Sequence, residues 1–162
     1  MAHSYALAGV TAGMHVRIAS PEAYAPRPDV VAAAQSRAAQ TGGSITLISD
    51  PREAAVGADV VVTDTWVSMG KEEEKIERLR DLGGYKVTTG VMSQAASDAI
   101  FIHCLPADRG YEVDSEVIDG PQSVVWYEAE NRLHAQKALL VWLLSKQEAA
   151  ADGVPSGQGD AK

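Results

Sequence analysis

The sequence has few of the residues on which several classes of protein depend. Its 162 residues include one cysteine, one phenylalanine and four histidines, and aromatic residues make up 6% of the chain. A single cysteine excludes an internal disulfide, so we expect a reducing compartment, the cytosol. Four dispersed histidines and one cysteine lack the spacing of a zinc site, and no GxGxxG motif is present for a dinucleotide. We therefore expect neither a metal nor another cofactor.

Basic residues and long apolar runs are scarce as well. Lysine and arginine number 14 against 22 acids, which gives a formal net charge of -8 and argues against a nucleic-acid partner. No run approaches the roughly 18 apolar residues of a membrane span, and the first residues do not form a signal peptide. The remaining composition, 46% hydrophobic and 22% charged, is that of one globular domain without nucleic-acid or membrane partners.

Short apolar runs alternate with helical patterns along the chain. This alternation predicts an α/β fold, a doubly wound, Rossmann-like open parallel sheet with helices on both faces. The domain should occupy residues 1–146, and the unpatterned residues 147–162 should form a flexible tail. We expect strands at 15–20, 44–49, 59–64, 85–89, 99–104 and 123–127. We expect helices or helical turns at 3–14, 29–43, 51–58, 71–84, 90–97, 114–121 and 128–146.

Two details of the helices can be predicted from their residues. Asp29 is a suitable residue to cap the start of the second helix, because its carboxylate can accept a bond from an N–H group of the first turn. In the 71–84 helix, the spacing of Ile76, Leu79 and Leu82 predicts that these three side chains face inward.

Polar groups follow two of the buried strands. Asp64 ends one strand, with Trp66, Ser68 and Met69 in the loop beyond it, and Cys104 ends another. Ligands of open parallel sheets bind outside the carboxyl ends of the strands, and these ends lie along one edge. The sequence therefore predicts that the two groups of residues converge.

Each candidate residue also has a purely structural interpretation. Cys104 could pack as a small buried hydrophobe, or its thiol could serve a site. Asp64 could cap a helix or form a turn, or its carboxylate could hold an alkylammonium group. Arg132 could pair with Glu128 and Glu130 on a helix surface, or it could clamp a phosphate or carbonyl.

Four stretches together resemble one known family. DTWVSMGKEEEKIERL, FIHCLPADRG, EVDSEVID and EAENRLHAQKALL are similar to motifs in the carboxyl-terminal half of ornithine carbamoyltransferase, and the likeness runs from residue 2 to about 145. The resemblance implies transfer of a carbamoyl group from carbamoyl phosphate to the side-chain amine of L-ornithine. The products are L-citrulline and phosphate, as in arginine biosynthesis.

The resemblance also implies roles for the candidate residues. Asp64, Ser68 and Met69 match the loop that binds ornithine. Cys104 matches the cysteine that contacts the ornithine amine, is often assigned as the proton acceptor, and also faces carbamoyl phosphate. Leu105 matches a position whose backbone carbonyl contacts the carbamoyl amino group, and Arg132 matches an arginine that binds carbamoyl phosphate.

The sequence also departs from the family pattern. Family chains are about twice as long, and their Ser-Thr-Arg-Thr and His-Pro-x-Gln segments are absent from these residues. The Gly-Asp-Gly-Asn-Asn turn and the central strand before it, which belongs between the strands at 15–20 and 59–64, are absent too. Tyr127 replaces an expected aspartate or proline near Arg132.

These departures lead to three expectations. We expect little or no activity from this chain alone, and marginal stability with a tendency to associate, because two strand edges lack partners. The family trimer is one possible homo-oligomer, but most of its contacts lie in the absent half. The alternative function is a non-catalytic remnant that binds an amino acid or a subunit.

Overall fold

The computed structural model describes residues 1–67, 70 and 72–152 of the chain. These residues divide into two compact units, Met1–Val125 and the chain from Trp126 onward. The helices of the first unit are α1 (Ala2–Thr11), α2 (Pro28–Thr41), α3 (Pro51–Ala55), α4 (Lys75–Leu82), α5 (Thr89–Met92) and α6 (Ser115–Ile118). Its strands are β1 (His15–Ala19), β2 (Ser44–Ile48), β3 (Val60–Thr63) and β4 (Ile100–His103).

The four strands form two parallel pairs. β1 lies beside β2 from His15↔Ser44 to Ala19↔Ile48, and β3 lies beside β4 from Val60↔Ile100 to Thr63↔His103. Within residues 1–67, 70 and 72–152, neither β1 nor β3 has a strand on its other edge. The structure confirms the predicted parallel α/β fold, and its division into two pairs agrees with the absence of a central strand.

The start of α2 differs in one detail from the prediction. Pro28 occupies the first turn, where its missing N–H group is not needed, so the helix begins earlier and Arg27 takes the cap position. Asp29 therefore lies inside the helix and pairs with the Arg27 guanidinium at 2.8 Å, and the prediction that Asp29 is the cap was wrong. The predicted end is confirmed, since Gly42 adopts the left-handed conformation with φ 80°.

Two segments that were predicted to be strands form only isolated β-bridges. The 123–127 segment pairs with β4 only through Phe101↔Ser123, because the helix-forming residues that follow extend the last helix back to Val125. The 85–89 segment pairs only through Val87↔Val113. It is bounded on one side by the 3₁₀ turn Gly83–Tyr85 and on the other by Thr88, whose hydroxyl caps α5.

The inward face of α4 is narrower than predicted. Leu82 is buried, but Ile76 is 85% exposed. At roughly 100° per residue, positions six apart differ by about 120° around the helix, so Ile76 lies well away from the direction in which Leu82 is buried. The prediction that Ile76 faces inward was wrong for this reason.

Two clusters of buried side chains support the two strand pairs. The large core cluster lies with β3 and β4, and the small core cluster packs α1 against α2 beside β1 and β2. The large core cluster consists of Ala55, Val61, Val87, Val91, Met92, Phe101, Val113, Val117, Ile118 and Val125. The small core cluster consists of Ala6, Val10, Ala34 and Ala38.

The second unit is helical as far as the structure describes it. Helix α7 (Val125–Asp152) extends past residue 146, so the predicted flexible tail from 147 begins with helical backbone, and 153–162 lie outside the described residues. Several large apolar side chains of this helix are more than half exposed, including Trp126, Leu133, Leu140, Trp142 and Leu144. None of the helices among the described residues combines the length and the hydrophobicity of a membrane-spanning segment.

Candidate functional site

The candidate site lies where β3 and β4 end. Thr63 and His103 are partners in the parallel register, so the residues that follow them, Asp64 and Cys104, emerge side by side. The Cys104 thiol donates a hydrogen bond to Asp64 Oδ1, with the sulfur 2.9 Å from the oxygen. The predicted convergence of these two residues is confirmed, although they are 40 positions apart in the chain.

Asp64 carries the negative charge of the site. Its Oδ1 also accepts a hydrogen bond from the Thr65 N–H at 2.8 Å, and the Met1 ammonium lies 3.4 Å from Oδ2. Partial burial raises the pKa of Asp64. The hydrogen bonds from Cys104 and Thr65 and the nearby ammonium lower the pKa by more than burial raises it, so the net pKa lies below its ordinary value. The carboxylate is therefore ionised at neutral pH, and its side chain is 38% exposed.

The backbone after Cys104 takes a conformation that few side chains adopt. Leu105 has φ 53°, in the left-handed region that favours glycine, and such residues persist only where their surroundings hold them. The Leu105 N–H donates to His103 Nδ1 at 2.9 Å. One residue further, the Pro106 carbonyl accepts a hydrogen bond from the Thr65 hydroxyl. Both bonds fix the direction of the backbone at Leu105.

Two buried polar side chains lie behind this loop. His103 and Glu112 are each 1% exposed, and His103 Nε2 lies 3.4 Å from Glu112 Oε1. Glu112 Oε1 also accepts a hydrogen bond from the Asp108 N–H. Sequence reasoning assigned no role to Glu112 or to Thr65. The position of Thr65 directly after Asp64 was the one signal that could have identified it, whereas nothing local distinguishes Glu112 from the exposed acids around it.

The loop beyond Asp64 is described only in part. Ser68 and Met69, the other predicted ornithine ligands, lie outside the described residues. The Trp66 carbonyl accepts a hydrogen bond from Arg78 at 3.3 Å, and Gly70 has φ 82°, as the predicted turn into the following helix requires. At Gly70 the structure agrees with the predicted turn.

Arg132 lies on α7 in the second unit and is exposed. Its predicted role in binding carbamoyl phosphate stays a prediction. Among the described residues, no group of three or more His, Cys, Asp or Glu side chains is placed to hold a metal ion.

Comparisons with known proteins identify what this arrangement is similar to. The family model for "Aspartate/ornithine carbamoyltransferase, Asp/Orn binding domain" matches residues 1–143. An ornithine carbamoyltransferase of Clavibacter sepedonicus is 72% identical over 144 residues, which are 89% of this chain and 47% of that protein.

Solved structures give the same result. Ornithine carbamoyltransferase from Pyrococcus furiosus matches with a TM-score of 0.81 and 48% identity, over 85% of this chain and 44% of that one. The anabolic ornithine carbamoyltransferase of Campylobacter jejuni matches with a TM-score of 0.85 and 40% identity, over 90% of this chain and 48% of that one.

The chain thus spans slightly less than half the length of these relatives, and its match covers the part in which Asp64 and Cys104 lie. Because the family model matches nearly the whole described chain, this protein belongs to the aspartate/ornithine carbamoyltransferase family and carries the Asp/Orn-binding domain.

Proposed function

We propose that the Asp64–Cys104 site binds L-ornithine for carbamoyl transfer from carbamoyl phosphate, which yields L-citrulline and phosphate. The observation that carries this proposal is the 2.9 Å contact between the Cys104 thiol and an ionised carboxylate at the carboxyl edge of the strands. A carboxylate attracts the charged form of an amine, and the adjacent sulfur can exchange a proton with it. The names of the relatives support ornithine as the amine.

The reaction assigns a separate task to each group. Asp64 holds an alkylammonium group of ornithine. Cys104 first releases its thiol proton to solvent, and the thiolate then accepts a proton from the side-chain ammonium group. The neutral amine attacks the carbamoyl carbon, a C–N bond forms, and the C–O bond to phosphate breaks. The second proton of the attacking nitrogen passes to the departing phosphate. The Leu105 carbonyl accepts a bond from the carbamoyl amino group, and Arg132 stabilises the negative charge of the phosphate.

Ser68 and Met69 complete the ornithine site in this proposal. A methionine and a serine beside Asp64 would supply an apolar contact and polar groups to the same ligand. The reaction would belong to arginine biosynthesis in the cytoplasm, with the two small molecules as partners. The family trimer remains one possible assembly.

The chain alone should bind ornithine but turn over little. The Ser-Thr-Arg-Thr and His-Pro-x-Gln segments that bind carbamoyl phosphate in the family are absent from this sequence. Without their cationic donors, little stabilises the leaving phosphate.

Calorimetry with a matched pair of ligands tests the proposal. L-ornithine should bind saturably, whereas L-norvaline, which has the same carbon chain without the terminal amine, should bind at least about tenfold more weakly. A citrulline assay on the same preparation should give little or no product. Equal affinity for the two ligands would contradict recognition of the side-chain amine, and rapid citrulline formation would contradict the proposed dependence on the absent segments.

A second candidate function is non-catalytic association with an amino acid or a longer subunit. In the part of the chain that the structure describes, β1 and β3 each have an unpaired edge. This favours the second candidate, because exposed strand edges pair readily with other chains. Mixing the chain with a full-length relative and measuring co-elution distinguishes the two: association without ornithine binding supports the second candidate.

A further inference from the structure

The buried pair His103 and Glu112 has no part in the proposed reaction, although it lies directly behind the site. Burying a carboxylate and an imidazole is unfavourable for stability compared with apolar side chains of the same volume. Both side chains are 1% exposed, so their contacts must offset this cost or serve another purpose.

Both contacts of Glu112 Oε1 are with the ends of one loop. One is His103 Nε2, at the carboxyl end of β4, and the other is the Asp108 N–H. The residues between these points, 104–107, include the Cys104 thiol and the Leu105 carbonyl. A single buried oxygen atom thus holds together the two ends of the segment that carries two proposed site groups.

The imidazole transmits this restraint to the backbone. His103 Nδ1 accepts the Leu105 N–H, so Nδ1 carries no proton and the N–H of the ring is at Nε2, 3.4 Å from Glu112 Oε1. The acceptor at Nδ1 stabilises Leu105 at φ 53°, a conformation that leucine otherwise disfavours. The polarity of the contacts is therefore consistent from Glu112 to Leu105, since Nε2 lies 3.4 Å from a carboxylate oxygen and Nδ1 accepts the Leu105 N–H.

The segment that carries Glu112 is itself fixed. The Glu112 carbonyl accepts the Val87 N–H at 2.9 Å, and the neighbouring Val113 is fully buried in the large core cluster. The carboxylate can therefore act as a rigid anchor for the loop.

We propose that Glu112 and His103 are positioning residues that hold the 104–107 loop so that the Cys104 thiol meets Asp64 and the Leu105 carbonyl faces the reacting group. The assignment of this loop to a site rests on the proposed function. The geometry that restrains the loop does not depend on the proposed function, and the positioning role can be tested without any substrate.

The test uses the reactivity of the thiol. Cys104 is the only cysteine in the chain, so alkylation by iodoacetamide reports on this sulfur alone. While the thiol donates to Asp64, its proton is held and alkylation is slow. Glu112→Ala should release the loop and accelerate alkylation by about fivefold or more in protein that still melts cooperatively.

Two controls separate positioning from general destabilisation. Glu112→Gln keeps an oxygen that can accept from both donors, and it should alkylate within about twofold of the unmodified chain. Asp114→Ala removes an acid two positions away, paired with Lys86 at 3.0 Å, and should also leave the rate unchanged. If Glu112→Gln were alkylated as fast as Glu112→Ala, the side-chain oxygen shared by glutamate and glutamine would not be what restrains the loop.

A double-substitution experiment gives a result that a purely structural role would not. Asp64→Asn alone should accelerate alkylation, because the acceptor of the thiol proton loses its charge. In the Glu112→Ala background, the same substitution should change the rate by less than about twofold, since the contact is already lost. Full additivity of the two effects would overturn the proposal.

If Glu112→Ala fails to fold, a pair of substitutions at His103 replaces it. Asparagine places an oxygen near the Nδ1 position and keeps the acceptor for Leu105, whereas glutamine extends to the Nε2 position and loses that acceptor. His103→Gln should alkylate faster than His103→Asn, and equal rates for both at the unmodified level would overturn the proposal. If ornithine fails to bind but these rates behave as expected, the proposed function falls and the positioning role stands.

Discussion

The pair β3–β4 and the pair β1–β2 are both parallel and nearly equal in length, but the side chains buried beside them differ in size. The large core cluster contains Phe101 and Met92 among ten residues, whereas the small core cluster contains one valine and three alanines. Larger side chains bury more apolar area and stabilise a fold in proportion. The site lies at the carboxyl end of the better supported pair.

This difference matters because both pairs have an unpaired edge in the described part of the chain. An open edge exposes backbone groups and lowers local stability for either pair. The pair with the larger core can retain its geometry despite that edge, and the other pair has less apolar packing to compensate. We therefore expect the β3–β4 half to keep Asp64 and Cys104 in place after the β1–β2 half has begun to open.

The largest effect should come from removing the central side chain of the better supported half. Phe101 is fully buried, and Phe101→Ala should lower the free energy of unfolding by about 3–5 kcal/mol. Urea denaturation measures this loss. The matched comparison is Val113→Ala in the large core cluster with Val10→Ala in the small core cluster. Both positions are fully buried and lose the same two methyl groups, and Val10→Ala should have the smaller effect. Equal losses for the two would contradict the comparison.

The next effect concerns local opening in the intact chain. Amide protons of β1 and β2 should exchange with solvent at least about tenfold faster than those of β3 and β4, because fewer buried contacts resist their opening. Hydrogen exchange followed by NMR or mass spectrometry measures these rates. Slower exchange in β1–β2 would reverse the assignment of the weaker half.

A pH titration tests the electrostatics of the stronger half. Since the folded pKa of Asp64 is lowered, its ionised form contributes stability above its ordinary value of about 3.9, and this contribution is lost as pH falls through the lower folded value. The difference in melting temperature between the unmodified chain and Asp64→Asn should be constant from about pH 7 to 5 and shrink below about pH 4.

Asp29, beside the weaker half, supplies the control for this titration. Its hydrogen bond with Arg27 lowers its pKa as well, but both side chains are largely exposed. The effect of Asp29→Asn should therefore be screened by salt more strongly than that of Asp64→Asn. The same salt dependence for both would show that Asp64 behaves as an ordinary surface acid.

The smallest effect should come from a surface ion pair near the site. Arg109 contacts Asp119 through two nitrogens, at 2.9 and 2.7 Å, but about half of each side chain is exposed. Arg109→Ala should lower the melting temperature by at most about 3 °C, and less at high salt. A larger, salt-independent loss would mean that this pair, rather than the buried Glu112, determines the loop.

The part of the site that depends on strand order could be predicted from the sequence. Asp64 and Cys104 each end a continuous apolar run, and parallel strands place such ends together. Local residue patterns predicted the boundaries of helices and strands less accurately. The 123–127 run has strand-like residues, yet the last helix begins at Val125, because the helix-forming residues after this run extend the helix back into it.

Burial of single polar residues could not be predicted in this way. Glu112 and Glu116 lie four positions apart in one acidic stretch, yet the first is buried and the second exposed. The difference depends on contacts of Glu112 with His103 and Asp108, which only the folded chain brings together. Ile76 shows the converse, an apolar residue left exposed by the angle of its helix.

Ornithine calorimetry on two variants of one strand tests the central claim most directly. Asp59 precedes β3 and Asp64 follows it, so Asp59→Asn and Asp64→Asn remove the same charge from opposite ends of the same strand. Asp64→Asn should weaken ornithine binding by about ten- to a hundredfold, whereas Asp59→Asn should leave it unchanged. Ornithine binding that is insensitive to Asp64→Asn, or equally weakened by both substitutions, would contradict a site at the carboxyl end of β3.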